Sequence, residues 1–183
     1  MPRLIDTGSR TGTLVASVNH LLAEGGPRAV SLRAIASVSR VSGSSILHHV
    51  GTMEHLLRVS AHDTGKARLQ RMDERWSAEG VAAHLAGTPD DVVDARVWLA
   101  WCELWRSHDG LELTVSEARY AERALLARRL DFRLARHELD SVVALIDGFT
   151  VATSRPVEPM PPERAAALLR VQVTAMTQTS AGS

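Results

Sequence analysis

The feature that most constrains this chain is its punctuation. Between Leu14 and Leu57, apolar residues recur every three or four positions, and small polar residues or glycines interrupt them at short intervals. Leu14, Val15, Val18, Leu21 and Leu22 mark one face of a helix that Gly25-Gly26-Pro27 stops. Ser31 is placed to cap a short helix carrying Leu32, Ile35 and Ala36, with a break at Ser39-Arg40-Val41. Ser42 is placed to cap a second short helix that runs through Ile46 and Leu47 to about Val50. Gly51 ends it, and Thr52 can cap a long helix from Met53 to about Trp76. Each helix start leaves amide groups without partners, and a hydroxyl just ahead of the apolar period satisfies one of them. Ile35, Ala36, Val41 and Ile46 are the expected core of this small unit.

The remainder reads as further helices. No sustained apolar–polar alternation marks a strand. Residues 78–86 are weakly helical and end at Gly87-Thr88-Pro89. A strong helix is expected from Asp90 to His108, closed by Asp109-Gly110. Another starts near Leu111 and carries Val115, Ala118, Ala121 and Leu125. A further one carries Leu139, Val142, Val143, Ile146 and Phe149. The proline-rich stretch from Pro156 to Pro162 is a connector, and Glu163 to about Gln178 makes a last helix before a frayed tail over 179–183. The expected fold is all-α with about nine helices: an N-terminal three-helix domain over 1–52 and a C-terminal helical bundle over 53–183.

Composition narrows the function classes. With 183 residues and 45% hydrophobic content, the chain can bury a sizeable core. No apolar run is long enough to span a membrane, and the first residues carry no secretory pattern. Cys102 is the single cysteine, so no intrachain disulfide can form, in keeping with a cytoplasmic placement. The formal net charge is zero, but residues 1–60 hold six Arg against three acids. That places a mild basic excess on the punctuated segment.

Two short helices with a tight break, behind a longer helix, are what a helix-turn-helix needs. The first braces the second so that its N-terminal residues reach base edges in the major groove. Ser42-Gly43-Ser44-Ser45 at that N-terminus permits close approach to phosphates, which free amide groups at a helix start can bind. The stretch resembles the TetR family of bacterial regulators. Glu24-Gly25-Gly26, Ser31-Leu32-Arg33-Ala34-Ile35-Ala36, Val41-Ser42, Ser45-Ile46-Leu47-His48-His49-Val50 and Thr52-Met53-Glu54-His55-Leu56-Leu57 follow the family pattern without a gap from Ser31 to Leu57. Further on, Val97-Trp98-Leu99-Ala100-Trp101 and Leu145-Ile146-Asp147-Gly148-Phe149 are similar to the C-terminal domain of the choline-pathway repressor sub-family.

The resemblance implies a homodimeric one-component regulator, a repressor released from a pseudo-palindromic DNA operator by a small-molecule effector. It implies DNA contact by Ser31, Arg33, Ser42, Gly43, Ser44, Ser45, Leu47, His48, His49 and Met53. Three positions depart from the pattern. Arg40 stands where the family usually has Gly, Leu47 replaces the usual Tyr, and Met53 replaces the usual Lys. The last two commonly contact phosphates, so two backbone anchors are altered, which His48 and His49 can offset in part. A second reading therefore stands beside the first: a regulator-derived protein with weak or lost specific DNA binding that acts through protein–protein contacts.

Trp98, Trp101, Cys102 and Trp105 form a stripe on one helix. Such a stripe fills a core or lines a pocket for an apolar effector, with Tyr120 and, less strongly, Arg119 and Arg123 as its polar neighbours. Val142, Val143, Ile146, Phe149, Leu168, Leu169, Gln172 and Met176 either pack within the bundle or, as the resemblance implies, form the dimer interface. No spacing marks a catalytic triad, a paired-carboxylate site or a phosphate loop, so no enzyme activity and no cofactor are expected. His48 and His49 are adjacent on a helix and point about 100° apart, a poor arrangement for a shared metal.

Overall fold

The computed structural model describes residues 7–108 and 110–180. Residues 1–6, Asp109, expected to help close a helix, and the expected tail over 181–183 lie outside them. The described residues form eight α-helices: α1 (Thr7–Gly25), α2 (Leu32–Ser39), α3 (Gly43–Val50), α4 (Met53–Glu79), α5 (Pro89–Leu104), α6 (Glu112–Arg129), α7 (Arg136–Thr153) and α8 (Pro162–Ser180). The all-α class stands. The weak helix expected over 78–86 is instead a 3₁₀ turn, Gly80–His84, entered through Gly80 at φ +57°. Left-handed backbone at a helix end favours glycine, so the chain leaves α4 there. The helix expected to reach His108 gives way after Leu104 to a 3₁₀ turn, Trp105–Ser107, while α8 runs on to Ser180.

The three hydroxyl caps form as the sequence predicts. The Ser31 side chain accepts from the Ala34 amide at 3.2 Å, Ser42 from Ser45 at 3.2 Å, and Thr52 from His55 at 3.0 Å. Each such cap contributes about 1 kcal/mol. α7 is capped from the other direction: Ala135 offers no side-chain oxygen, but its amide donates to the Glu138 carboxylate at 2.7 Å.

The chain divides into two compact units. The first comprises residues up to Lys66 together with Arg96–Ser116, and the second comprises Ala67–Ala95 with the chain from Glu117 onward. A cut at residue 52 thus falls within the first unit, which also takes in a segment from the middle of the sequence. In the first unit Leu14, Val18, Leu22, Ile35, Ile46, Leu56 and Trp101 are buried. The Trp101 indole N–H donates to Asn19 Oδ1 at 3.2 Å. The Asn19 amide donates to the Thr64 hydroxyl at 2.9 Å, and that hydroxyl donates to the Ser60 carbonyl at 2.7 Å. This neutral chain of hydrogen bonds links α1, α4 and α5 inside one unit.

The second unit has its own core of Val81, Leu85, Leu126, Val142, Ile146, Ala165, Leu169 and Val173. Val143, Phe149 and Met176 pack against it, partly buried. This corrects the expected dimer face. Val142 and Leu169 have no exposed surface and Ile146 only 3%, so these three serve the protomer's own interior. The reason is that α7 and α8 pack against each other, and α8 also against the Gly80–His84 turn, which takes up their most apolar sides. No helix among the described residues is long and apolar enough to cross a membrane.

Candidate functional site

α2 and α3 meet at Arg40, which adopts φ 56° and ψ 29°, the left-handed conformation. The turn that glycine would enter freely is therefore kept by a residue for which it costs about 1 kcal/mol. Ile35 and Ile46 are buried at 0% exposure, one from each helix, while Ala36 and Val41 are half-buried. That packing leaves Ser31, Arg33, Ser42, Ser44, Ser45 and His48 exposed. Ser42 Oγ lies 3.1 Å from Ser44 Oγ and donates to Ser45 Oγ at 2.9 Å, so a knot of hydroxyls sits at the start of α3. Gly43 is half-buried, and a Cβ there would lie 3.5 Å from the Leu32 side chain, ordinary contact that ties the start of α3 to α2.

Three further expected DNA contacts are half-buried as well. His49 is half-buried and its Nε2 lies 3.0 Å from the Thr11 hydroxyl, so it braces α3 against α1. Leu47 and Met53 are half-buried, in keeping with side chains that pack as well as face outward. Arg58 forms an exposed pair with Glu54 at 2.9 Å, which offsets part of the local positive charge.

The second unit holds its charge inside. Glu122 accepts from Arg68 at 3.0 Å and lies 3.4 Å from Nδ1 of His84, whose side chain has no exposure. Burial would raise the Glu122 carboxyl, but the Arg68 guanidinium and then His84 outweigh it and hold it down to about 2. His84 also meets the edge of Trp76, with ring centroids 5.9 Å apart. Nearby, Arg75 pairs with Glu79 at 2.6 Å and with Asp91 at 3.3 Å, and donates to the Leu85 carbonyl at 3.2 Å. The hydrogen bond to Glu79 does most to raise the Arg75 guanidinium further.

No protein-family model matches this sequence, and no curated protein matches it. Solved structures do. A transcriptional regulator from Rhodococcus sp. Rha1 superposes with a TM-score of 0.81 at 19% identity, over 92% of this chain and 96% of its own. A Rhodococcus sp. protein assigned to the TetR-family regulators gives 0.75 at 13% identity, over 92% and 98%. The multidrug binding protein EbrR, in complex with malachite green, gives 0.65 at 18% identity, over 89% and 97%. This chain has the TetR-regulator fold.

Within that fold the sequence-predicted effector residues belong to both units. Trp98 and Trp101 are buried and Cys102 and Trp105 half-buried in the first unit, the one that contains α2 and α3. Tyr120 belongs to the second unit and is 73% exposed. Arg119 and Arg123 form ion pairs with Asp147 and Asp140. Sequence reasoning missed the Arg68–His84–Glu122 cluster altogether. Its one sequence signal is a lone histidine inside the apolar run Val81-Ala82-Ala83-His84-Leu85-Ala86, whose six residues are all buried. Among the described residues no group of three or more His, Cys, Asp or Glu side chains is placed to hold a metal ion.

Proposed function

We propose that this chain is a bacterial, cytoplasmic, homodimeric regulator of the TetR family that represses transcription and leaves its operator when a small molecule binds. The observation that carries the reading is the capped pair α2 and α3, joined through left-handed Arg40, with Arg33, Ser44, Ser45 and His48 exposed. Residues 1–52 supply the DNA-reading helices and the rest of the chain supplies effector binding and dimerisation. The fold shared with the Rhodococcus regulators supports this, and the dye-bound EbrR structures support a ligand-taking role for the fold.

A helix-turn-helix reads two half-sites related by a two-fold axis, so a second copy is required. The face available for it is Ala144, Gly148 and Val151 of α7 with Leu168, Val171 and Gln172 of α8, all exposed. A Cβ built on Gly148 meets nothing within 4 Å, so nothing in the protomer needs glycine there. Glycine in a helix interior costs about 1 kcal/mol relative to alanine, a cost offset where another helix approaches closely.

The test is a gel shift with duplex from upstream of the protein's own gene, titrated with salt. A discrete complex is expected, and Arg33→Ala should lower the slope of log affinity against log salt by about one. The absence of a complex at every salt concentration overturns the reading. It would favour the alternative that half-buried Leu47 and Met53 motivate, a regulator-derived protein acting through protein contacts.

A further inference from the structure

The helix proposed to meet DNA carries no fixed positive charge. α3 reads Gly-Ser-Ser-Ile-Leu-His-His-Val, so its ionisable side chains are His48 and His49 alone. Duplex DNA is a dense line of phosphates, and affinity for it depends chiefly on protein charges that displace counterions. Imidazole is the side chain that ordinarily changes charge between pH 5 and 8. The charge that α3 brings to a duplex is therefore set by the proton concentration.

Three histidines of this region differ in their settings. His49 is half-buried, and its Nε2 lies 3.0 Å from the Thr11 hydroxyl, so it is engaged inside the unit. His55 is exposed but stands in the first turn of α4, where the aligned amide dipoles oppose a positive charge by about 0.3–1 kcal/mol. His48 is exposed in the last turn of α3, where the same effect favours a positive charge. It follows Ser44 by four residues and Ser45 by three, a spacing that puts it on their face of the helix. Among the described residues no hydrogen bond or ion pair holds the His48 side chain.

Its surroundings leave it to find an anion outside the protein. Around α3 the first unit carries Arg10, His20 and Glu24 on α1, Arg28 in the turn that follows, and Arg33 and Arg40 on α2 and its turn. Glu54, His55 and Arg58 stand at the start of α4, and His108 and Glu112 flank the Gly110 turn. Arginines outnumber acids in this set, and Glu54 is held by Arg58 at 2.9 Å and lies against Gly110. No carboxylate is paired with His48, so a DNA phosphate would be the first anion to meet its ring. A neighbouring anion favours the protonated imidazole, so a complex that places one there takes up a proton and tightens as pH falls.

We propose that His48 is the ionic contact of α3 with the DNA backbone, and that its protonation makes DNA binding stronger in acid. The proposal rests on reading α2 and α3 as the DNA-binding pair, and it adds a control on that surface.

Fluorescence anisotropy on the full chain tests it, with the upstream duplex and a random-sequence duplex of equal length, each at pH 6 and pH 8 over a salt series. At low salt both should bind about tenfold more tightly at pH 6, and the slope of log affinity against log salt should steepen by about 0.9 per protomer. His48→Gln should flatten the pH dependence. His48→Arg should keep at pH 8 the tight binding that the unaltered protein shows at pH 6. His55→Gln should leave the pH dependence in place. Affinities equal within about twofold at the two pH values overturn the proposal. So does a pH dependence that survives His48→Gln, or one that His55→Gln removes. A discrete operator complex with a flat pH profile sinks this proposal alone. Acid-strengthened binding to the random duplex with no discrete operator complex sinks the regulator reading alone, and no binding to either duplex sinks both.

Discussion

The two units handle polarity in opposite ways. The first keeps a neutral interior, with one indole, one amide and one hydroxyl in line from Trp101 through Asn19 to Thr64, and sets its serines, arginine and histidine outside on α2 and α3. The second buries ions: Arg68, Glu122 and His84 lie together, and Arg75 bridges Glu79 and Asp91. Neutral hydrogen bonds hold one geometry and respond little to their surroundings. Buried charges are strongly coupled, so gain or loss of a single partner changes the balance by several kcal/mol. A surface that keeps one geometry suits the first arrangement, and a unit whose balance shifts with its partners suits the second.

That contrast can be broken most decisively at Trp101. Trp101→Ala should cost about 3–5 kcal/mol of unfolding free energy in a denaturant titration, and a loss below about 1 kcal/mol would contradict its role as core. Glu122→Gln should cost about 3 kcal/mol at neutral pH by removing a charged partner of a buried arginine. Its pH profile sharpens the point. The Glu122 carboxyl is depressed from 4.5 to about 2, so the unfolded chain takes up the proton first. The stabilisation is full above about 4.5 and is lost as pH falls towards about 2, and the variant should lack this acid-dependent loss. In α2 and α3 Ser42→Ala should lose about 1 kcal/mol with its cap, and Arg40→Gly should gain about 1 kcal/mol by relieving left-handed backbone, both seen as shifts in melting temperature. The smallest effect is expected at the exposed Arg58–Glu54 pair, where Arg58→Ala should change stability by less than about 0.5 kcal/mol.

What was legible in the sequence was local. Ser31, Ser42 and Thr52 announce their helices because a cap acts within four residues, and the turn at Arg40 follows from the register of Ser31 to Leu57. Apolar stripes were legible as stripes but not as partners. Val142 and Ile146 read as apolar as Val151, yet the first two are buried in the protomer and the third is 45% exposed. The charged cluster was invisible because Arg68, His84 and Glu122 come from three separate elements, the last two 38 positions apart. No periodicity or motif encodes a meeting that only tertiary packing brings about.

The hydrogen bond from Trp101 to Asn19 spans 82 positions of sequence, and residues 96–116 complete the first unit. As the chain leaves the ribosome, α1 to α3 therefore emerge before their unit can close, and they wait until residue 116 is clear of the exit tunnel. A fragment ending at residue 66 would leave Leu14, Val18 and Leu22 without part of their cover. The packed pair α2 and α3 is thus a late product of synthesis despite lying near its start, and nascent chains released early would expose apolar surface rather than a closed unit.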